Sequence, residues 1–264
     1  MTAIQWTEKT WNPVVGCSIH SPGCTHCYAM HTARRLARID SSREKYSGLT
    51  IDTKGGPVWN GKLRFWEPNL LEPLSWKRPS MVFVNSMSDL AHHAVSVEWF
   101  ERIWHVMVEA RRANGHIFQV LTKRPETLLK LLAAIGVSAP EPGIWLGVSA
   151  ETQLWWEARV PVLRDLPTEV PWVSAEPQLG PIRPDFKGVR WVVQGGESGR
   201  RARPFDLEWA RLMRDACHNA SVPYFLKQIG RVAFDNRRPF PTKHAKGGNP
   251  QEWPDDLRIR EWPT

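Results

Sequence analysis

From residue 81 onward, short apolar runs alternate with helical patterns, and this alternation restricts the fold more than any other feature of the chain. Apolar residues recur at helical spacing from Val97 to Val108, and Pro125 and Asp206 are suited to begin two later helices. The apolar runs predict strands at residues 81–84, 117–121, 144–148, 171–173, 189–193 and 222–226. Strands that alternate with helices form parallel sheets, so we predict an α/β fold, a parallel (β/α) barrel or partial barrel. An open doubly wound sheet is the alternative.

The segments on either side of the alternating region are less regular. Residues 41–79 contain several glycines, and we expect an irregular insert there. Residues 231–264 are rich in turn formers, so we expect no helix, with a short terminal strand at 257–259. We therefore predict one barrel domain over residues 1–230, with 41–79 as its insert, and a C-terminal extension over 231–264 that packs on the barrel.

Composition and charge narrow the class of protein. The 264 residues are 42% hydrophobic and 23% charged, which suits one large globular domain better than two. The net charge of +8 attracts polyanions and leaves nucleic acid open as a partner. No apolar segment resembles a secretion signal or a membrane span, so we expect a cytoplasmic protein with no membrane partner.

Three cysteines, Cys17, Cys24 and Cys27, lie within eleven residues and directly follow a predicted first strand at residues 11–15. Three thiolates are one fewer than a closed tetrahedral sulfur site needs, and a [4Fe-4S] cluster on them would keep one iron open. The loop therefore favours a cysteine cluster site at the carboxyl end of the first strand.

Other interpretations of the cysteines stay open. Zinc could bind the three thiolates together with one nearby histidine, and the thiols could instead be reactive or incidental. The candidate histidines are His20, His26 and His31. A helix is predicted to begin after Cys27, and its N-terminus would stabilise a thiolate there. Cys217 falls on the apolar face of a later helix and is expected to be a small buried hydrophobe.

Polar residues follow the predicted strands. In a parallel barrel, positions after the carboxyl ends of the strands share one rim, where active sites are built. We predict a substrate pocket there, with Glu176, Glu197 and Lys123 as catalytic candidates. The alternative is that the two glutamates only pair with neighbouring arginines and tie loops together. The residues that follow strands include Asn85, Ser86, Asp89, Lys123, Arg124, Glu151, Glu176, Glu197 and Lys227.

Several motifs carry a resemblance to known families. They are residues 6–13 (WTEKTWNP), 16–29 around the cysteines, 83–89 (FVNSMSD), 121–125 (LTKRP), 195–199 (GGESG) with 202–204 (ARP), and 225–228 (FLKQ). From about residue 6 to the C-terminus the chain resembles the phage-associated Gp37/Gp68 family of three-cysteine proteins. The cysteine loop after a first strand is similar to that of the radical S-adenosylmethionine superfamily.

The superfamily resemblance implies cofactors and roles. S-adenosylmethionine would bind the open iron of a [4Fe-4S] cluster on the three cysteines, and an external electron donor would reduce it. A deoxyadenosyl radical would then take hydrogen from an unknown substrate, a small molecule or nucleic acid. The superfamily's Gly-Gly-Glu segment ends the second strand, whereas Gly195–Glu197 ends the sixth predicted strand here. The resemblance therefore makes Asn85, Ser86 and Asp89, with Tyr28, the candidates for binding the cofactor.

Two further classes of function remain as alternatives. One is a nucleic-acid-binding protein stabilised by zinc or an iron–sulfur cluster and without catalysis. The other is a metal-independent barrel enzyme that uses rim carboxylates as acid and base.

Overall fold

A computed structural model describes residues 4–263. The strands of the described residues are β1 (Lys9–Trp11), β2 (Val14–Val15), β3 (Thr50–Thr53), β4 (Gly56–Trp59), β5 (Arg64–Phe65), β6 (Met81–Val84), β7 (Ile117–Thr122), β8 (Ile144–Ser149), β9 (Trp172–Ala175), β10 (Trp191–Gly195), β11 (Phe205–Asp206), β12 (Tyr224–Gln228), β13 (Ala233–Asp235) and β14 (Arg238–Phe240). The helices are α1 (Tyr28–Leu36), α2 (Asp40–Tyr46), α3 (Glu72–Ser75), α4 (Val97–Asn114), α5 (Pro125–Ala134), α6 (Gln153–Leu163) and α7 (Leu207–Asn219).

The main sheet has seven strands in the order β1-β6-β7-β8-β9-β10-β12. The registers of its neighbouring strands are parallel, as between β1 and β6 and between β10 and β12. The strands are short apolar runs that are buried almost throughout, which is what helices on a parallel sheet require. The prediction of an α/β fold with a partial parallel barrel is confirmed.

The chain forms two compact units. The first unit comprises the described residues up to 146 together with 166–169, and the second comprises 147–165 and 170 onward. The division of the chain at residue 230 stays a prediction.

In the first unit, α4 packs its apolar face inward. Phe100, Trp104 and Met107 are buried, and the Ser96 side chain caps the helix by accepting a hydrogen bond from the Trp99 N–H (3.1 Å). The helix ends at Gly115, which has a left-handed backbone (φ 73°). A cluster around α1 and the β3–β4 hairpin forms another part of this core, and Cys17 and Cys27 pack against it.

In the second unit, large aromatic side chains fill the core. The rings of Trp172 and Trp191 lie 5.3 Å apart, and a Cβ at Gly147 would come within 2.5 Å of the Trp172 ring. Gly147 therefore makes room for that indole. Helix α7 begins as predicted, because the Asp206 carboxylate accepts a hydrogen bond from the Glu208 N–H (3.0 Å). Cys217 is fully buried on this helix, as predicted.

Two predictions in the N-terminal third are wrong. The first strand, predicted at 11–15, is two strands: β1 pairs with β6 in the main sheet, whereas β2 pairs antiparallel with β5. Pro13 interrupts the run because it has no N–H to donate. Residues 41–79 are also not irregular. They contain most of α2, the β3–β4 hairpin, β5 and α3, with glycine at the turns of the chain.

Two predictions further along also need correction. The helix predicted over 153–158 continues through Pro161 to Leu163, and the proline removes a single hydrogen bond close to the helix end. The strand predicted at 257–259 is replaced by a 3₁₀ turn (Asp255–Leu257) and an isolated antiparallel bridge between Arg260 and Phe225. No α-helix occurs in the described part of 231–264, as expected. Among residues 4–263, no helix combines the length and apolar character needed to cross a membrane.

Candidate functional site

The cysteine loop begins at the end of β2 and runs into α1. Cys24 closes a 3₁₀ turn (Pro22–Cys24), and Cys27 is the residue that precedes the first turn of α1. Gly16 starts the loop with a backbone φ of 96°, and a Cβ there would lie 2.2 Å from the Lys62 carbonyl oxygen. Only glycine satisfies both conditions, so this sharp turn depends on Gly16.

The three thiols are free and half-buried. Burial, then the charge of Asp89 and the two neighbouring thiols, together raise the pKa of Cys17 to about 12, although the Arg124 charge acts to lower it. Burial also raises the pKa of Cys27, although the N–H groups of Ala29 and Met30 at the start of α1 act in the opposite direction. The predicted helix start is confirmed, but its effect on the thiol is smaller than the effect of burial.

The thiols do not surround the position of a single ion. Within residues 4–263, no three His, Cys, Asp or Glu side chains form a group that could hold a metal ion as they stand. A single zinc ion requires sulfurs at about 2.3 Å from one centre. A cluster of several irons is larger than one ion and is ligated at separate irons. Cys17, Cys24 and Cys27 share one loop, and that shared position is what makes them candidate ligands.

Asp89 is the centre of a buried network beside the cysteine loop. Its carboxylate accepts four hydrogen bonds, two at each oxygen: from Thr122 Oγ1 (2.7 Å) and the Ala91 N–H (3.0 Å), and from the Lys123 N–H (3.1 Å) and Arg124 Nη1 (2.7 Å). Burial alone would raise the pKa of Asp89, but the Arg124 charge and these hydrogen bonds hold it below its usual value. The carboxylate therefore joins the ends of β6 and β7.

Arg124 extends this network to the cysteine loop. Its Nη2 donates to the Ser18 carbonyl oxygen (3.3 Å) and to Ser18 Oγ (3.1 Å), next to Cys17. Ser18 Oγ also lies 2.8 Å from Nε2 of the fully buried His92. His92 Nδ1 accepts from the Ala94 N–H (3.2 Å), so Nε2 carries the proton in the neutral ring. Burial, then Arg124, lowers the pKa of His92 to about 4.

Asn85 is the polar residue of this region whose hydrogen bonding is least complete. It follows β6 directly, is buried, and has a left-handed backbone (φ 59°). Its Oδ1 lies at 3.5 Å from the Val14 N–H, whereas its Nδ2 has no hydrogen-bond partner in the part of the chain that the structure describes. A buried amide N–H₂ group without a protein partner is free to donate to a ligand or an ordered water.

Tyr28 and Ser86 bind each other. The Tyr28 hydroxyl donates to the Ser86 carbonyl oxygen (3.0 Å), and Ser86 Oγ donates to Asn12 Oδ1 (3.1 Å). Asn12 Oδ1 also accepts from the Met87 N–H (2.9 Å). These bonds join the segment after β6 to Asn12 and to the start of α1, so the structure brings Asn85, Ser86, Asp89 and Tyr28 into one region of the first unit.

Lys123 lies in the first unit as well. Its backbone N–H binds Asp89, and its positive charge acts to lower the pKa of Cys27. The remaining catalytic candidates, Glu176 and Glu197, belong to the second unit.

In the second unit both glutamates have cationic partners. Glu176 Oε1 lies 2.9 Å from Lys227 Nζ, and both side chains are mostly buried. Glu197 accepts from three nitrogens of Arg203: the backbone N–H (2.9 Å), Nε (2.9 Å) and Nη2 (2.6 Å). Glu151 forms a further ion pair with Arg159 (3.0 Å), completely within the core.

Sequence reasoning missed three residues of the first-unit network: Asn12, Ser18 and His92. Asn12 and Ser18 lie inside the quoted motifs, but the motifs gave no reason to separate them from their neighbours. His92 belongs to a His-His pair, and nothing local distinguishes a buried histidine from an exposed one. The sequence shows Arg124 only as one of the residues that follow predicted strands.

The fold and the loop define a class of protein, a partial parallel barrel with a three-cysteine loop beside its first strands. A family model described as "Protein of unknown function (DUF5131)" matches residues 1–253, so the chain belongs to the DUF5131 family. Comparisons with the curated proteins and with the solved structures gave no match.

Proposed function

We propose that this protein is an iron–sulfur enzyme of the radical S-adenosylmethionine type. The observation that supports this most directly is the set of three free thiols on one loop, which runs from β2 to the start of α1 in a chain that forms a partial parallel barrel. The only other cysteine, Cys217, is buried in the second unit. Cys17, Cys24 and Cys27 would hold a [4Fe-4S] cluster with one iron left open.

When bound, the cluster would supply an electron, received from an external donor, that breaks the C5′–S bond of S-adenosylmethionine to give methionine and a deoxyadenosyl radical, which would take hydrogen from the substrate. The protein binds and orients the reactants. Asn85 Nδ2 is the donor best suited to an acceptor group of the cofactor, because it is buried and lacks a partner among the described residues. Ser86 and Tyr28 flank it through their own hydrogen bond.

Asp89 has a different role in this proposal from that of a cofactor ligand. Both of its oxygens already accept two hydrogen bonds, so it holds Arg124 against the cysteine loop. Arg124 and Lys123 supply positive charge beside the thiolates, as the favourable effects of these two cations on the pKa of Cys17 and Cys27 indicate. Glu176, Glu197 and Lys123 remain the residues proposed to contact the substrate.

The relationship of the chain to two further groups of proteins is part of the same proposal. The motifs support a relationship to the phage-associated Gp37/Gp68 family and to the radical S-adenosylmethionine superfamily. Free cysteines support a reducing, cytoplasmic location.

Anaerobic reconstitution followed by iron, sulfide and zinc analysis tests the metal. We expect about four irons and four sulfides per chain, loss of the cluster in Cys17→Ala, Cys24→Ala or Cys27→Ala, and retention in the control Cys217→Ala. Stoichiometric zinc without sulfide would contradict the proposal and favour a metal-stabilised nucleic-acid-binding protein, the alternative that the charge of +8 supports.

A second measurement tests the cofactor. Reduced, reconstituted protein should change its cluster spectrum when S-adenosylmethionine is added and slowly release deoxyadenosine. Asn85→Ala should weaken that binding while the iron and sulfide content stays at the wild-type level. An intact, reducible cluster that neither binds nor cleaves the cofactor would refute the radical chemistry.

A further inference from the structure

Three loops of the second unit meet through glycine contacts at one place. They are residues 196–204, 229–232 and 241–248, and we name them the basic loops. A Cβ at Gly196 would lie 2.6 Å from the Ile229 carbonyl oxygen, and one at Gly230 would lie 3.0 Å from the Glu197 carbonyl oxygen. A Cβ at Gly247 would lie 2.3 Å from the Gly230 carbonyl oxygen. The loops therefore pack backbone against backbone.

Hydrogen bonds join the same loops. The Arg231 N–H donates to the Glu197 carbonyl oxygen (2.9 Å), and the Ile229 N–H donates to the Gly247 carbonyl oxygen (3.0 Å). These backbone contacts join the three loops into a single connected surface.

Apart from Glu197, the charged residues of the basic loops are all arginine or lysine. Residues 198–204, 229–232 and 241–248 contain six Arg and Lys residues and no Asp or Glu. Arg200, Arg231 and Lys246, one from each loop, are exposed. The adjoining carboxylates are bound by the loops themselves. Glu197 is buried against Arg203, and Glu252 accepts from the Lys243 N–H (2.6 Å).

We propose that the basic loops bind the phosphate backbone of nucleic acid. The cations are distributed over three loops, an arrangement that fits a chain of phosphates better than one small anion. The large exposed apolar side chains of the described residues all lie outside these loops, so the surface lacks the groups that insert into a lipid bilayer. This inference goes beyond the proposed chemistry and does not depend on the cysteines.

Fluorescence anisotropy with the full chain tests the proposal. The probes are a labelled 20-nucleotide single-stranded DNA, the RNA of the same sequence and a DNA duplex, each titrated between 50 and 200 mM NaCl. The test variant combines Arg200→Ala, Arg231→Ala and Lys246→Ala. The matched control combines Arg183→Ala, Lys187→Ala and Arg190→Ala, three exposed basic residues that lie before β10, whereas the basic loops follow it.

We expect the test variant to bind at least about tenfold more weakly, and the slope of log affinity against log salt to fall by about 2 for a single strand. The control variant should change affinity less than about twofold. Lys246→Ala alone should lower the slope by about 0.7, which gives a result even if the triple variant folds poorly. Cys17→Ala should bind like the wild type, so the outcome is separate from that of the cluster.

Binding of DNA, RNA or both supports the proposal and identifies the preferred strand. Equal losses in the two triple variants would mean that only the net charge matters, and would overturn it. No binding of any probe at 50 mM NaCl, or tighter binding to anionic phosphatidylglycerol vesicles than to the oligonucleotides, would also overturn it.

Discussion

Asp89 in the first unit and Glu197 in the second are both buried carboxylates that follow a strand, yet their arginine partners connect them to different parts of the chain. Asp89 receives hydrogen bonds from the end of β7 and from Arg124. Arg124 in turn binds Ser18 of the cysteine loop, which lies 106 residues earlier in the chain than Arg124. Glu197 receives its side-chain bonds from Arg203, six residues later. The first pair holds distant segments together, whereas the second closes its own loop.

The largest expected effect is a loss of stability when the first of these two pairs is broken. Arg124→Ala should lower the free energy of unfolding by about 3–5 kcal/mol, because it leaves the Asp89 carboxylate buried without its cation. Both side chains are less than 10% exposed, so water cannot replace the guanidinium. Chemical denaturation of the wild type and variant at pH 7 measures this.

The control for this variant removes both charges. Arg124→Met combined with Asp89→Asn should be less damaging than Arg124→Ala alone, because no uncompensated charge stays buried. A loss of less than about 1 kcal/mol in Arg124→Ala would show that the pair does not hold the cysteine loop.

A smaller effect is expected from pH. His92 has a pKa of about 4 in the folded protein and about 6.5 when unfolded. Between these values the unfolded chain binds more protons, so the free energy of unfolding should fall as the pH is lowered from 7 to 4, by on the order of 3 kcal/mol. The charges of Arg124, His93 and His20 disfavour the proton on His92, and Asp89 favours it.

Equilibrium unfolding at intervals between pH 7 and 4 measures this slope. His92→Gln cannot titrate there, so its slope should be flatter than that of the wild type. The same slope in both proteins would show that His92 is not the group responsible.

The sequence carried enough information for the strands of the main sheet other than β1. Strands β6 to β8 lie at or within one residue of the predicted runs, since continuous apolar runs between turn residues are unambiguous when they recur. Strands β9, β10 and β12 extend two residues beyond the predicted ends, through the polar positions Ser174, Gln194 and Gln228, and β10 and β12 also begin two residues later than predicted. Periodicity could not detect that extension, because those polar side chains are buried.

The site was less predictable than the sheet. Three clustered cysteines can be recognised from the sequence alone, but the partners of Asp89 cannot. Thr122 and Arg124 contact Asp89, and Ser18 contacts Arg124, only because the fold brings these distant residues together. Whether a carboxylate after a strand organises a neighbouring segment or its own loop depends on tertiary contacts. From the sequence, Asp89 is a candidate for cofactor binding and Glu197 for catalysis, and neither role indicates which segment its arginine partner connects it to.

Arg203→Ala breaks the second pair, Glu197 and Arg203, and its effect can be compared with that of Arg124→Ala. Glu197 is buried, but Arg203 is about a third exposed, so water can partly replace the guanidinium. We expect the free energy of unfolding to fall by about 2 kcal/mol, which is less than for Arg124→Ala. Iron and sulfide content after reconstitution should be unchanged, whereas Arg124→Ala should reduce it. A larger loss of stability for Arg203→Ala than for Arg124→Ala would reverse the proposed ranking.

The smallest effect is expected at the third pair, Glu176 and Lys227, where both partners retain some exposure. Lys227→Met should lower the free energy of unfolding by about 1 kcal/mol, because the part of Glu176 that stays exposed lets water replace some of the lost contact. A double-mutant cycle with Glu176→Gln should give a coupling of about 1 kcal/mol or less. A coupling of 3 kcal/mol would show that the two residues stabilise the second unit as strongly as Asp89 and Arg124 stabilise the first. In that case, their role would be to hold β12 to the end of β9, and the proposed role of Glu176 in substrate binding would lose its support.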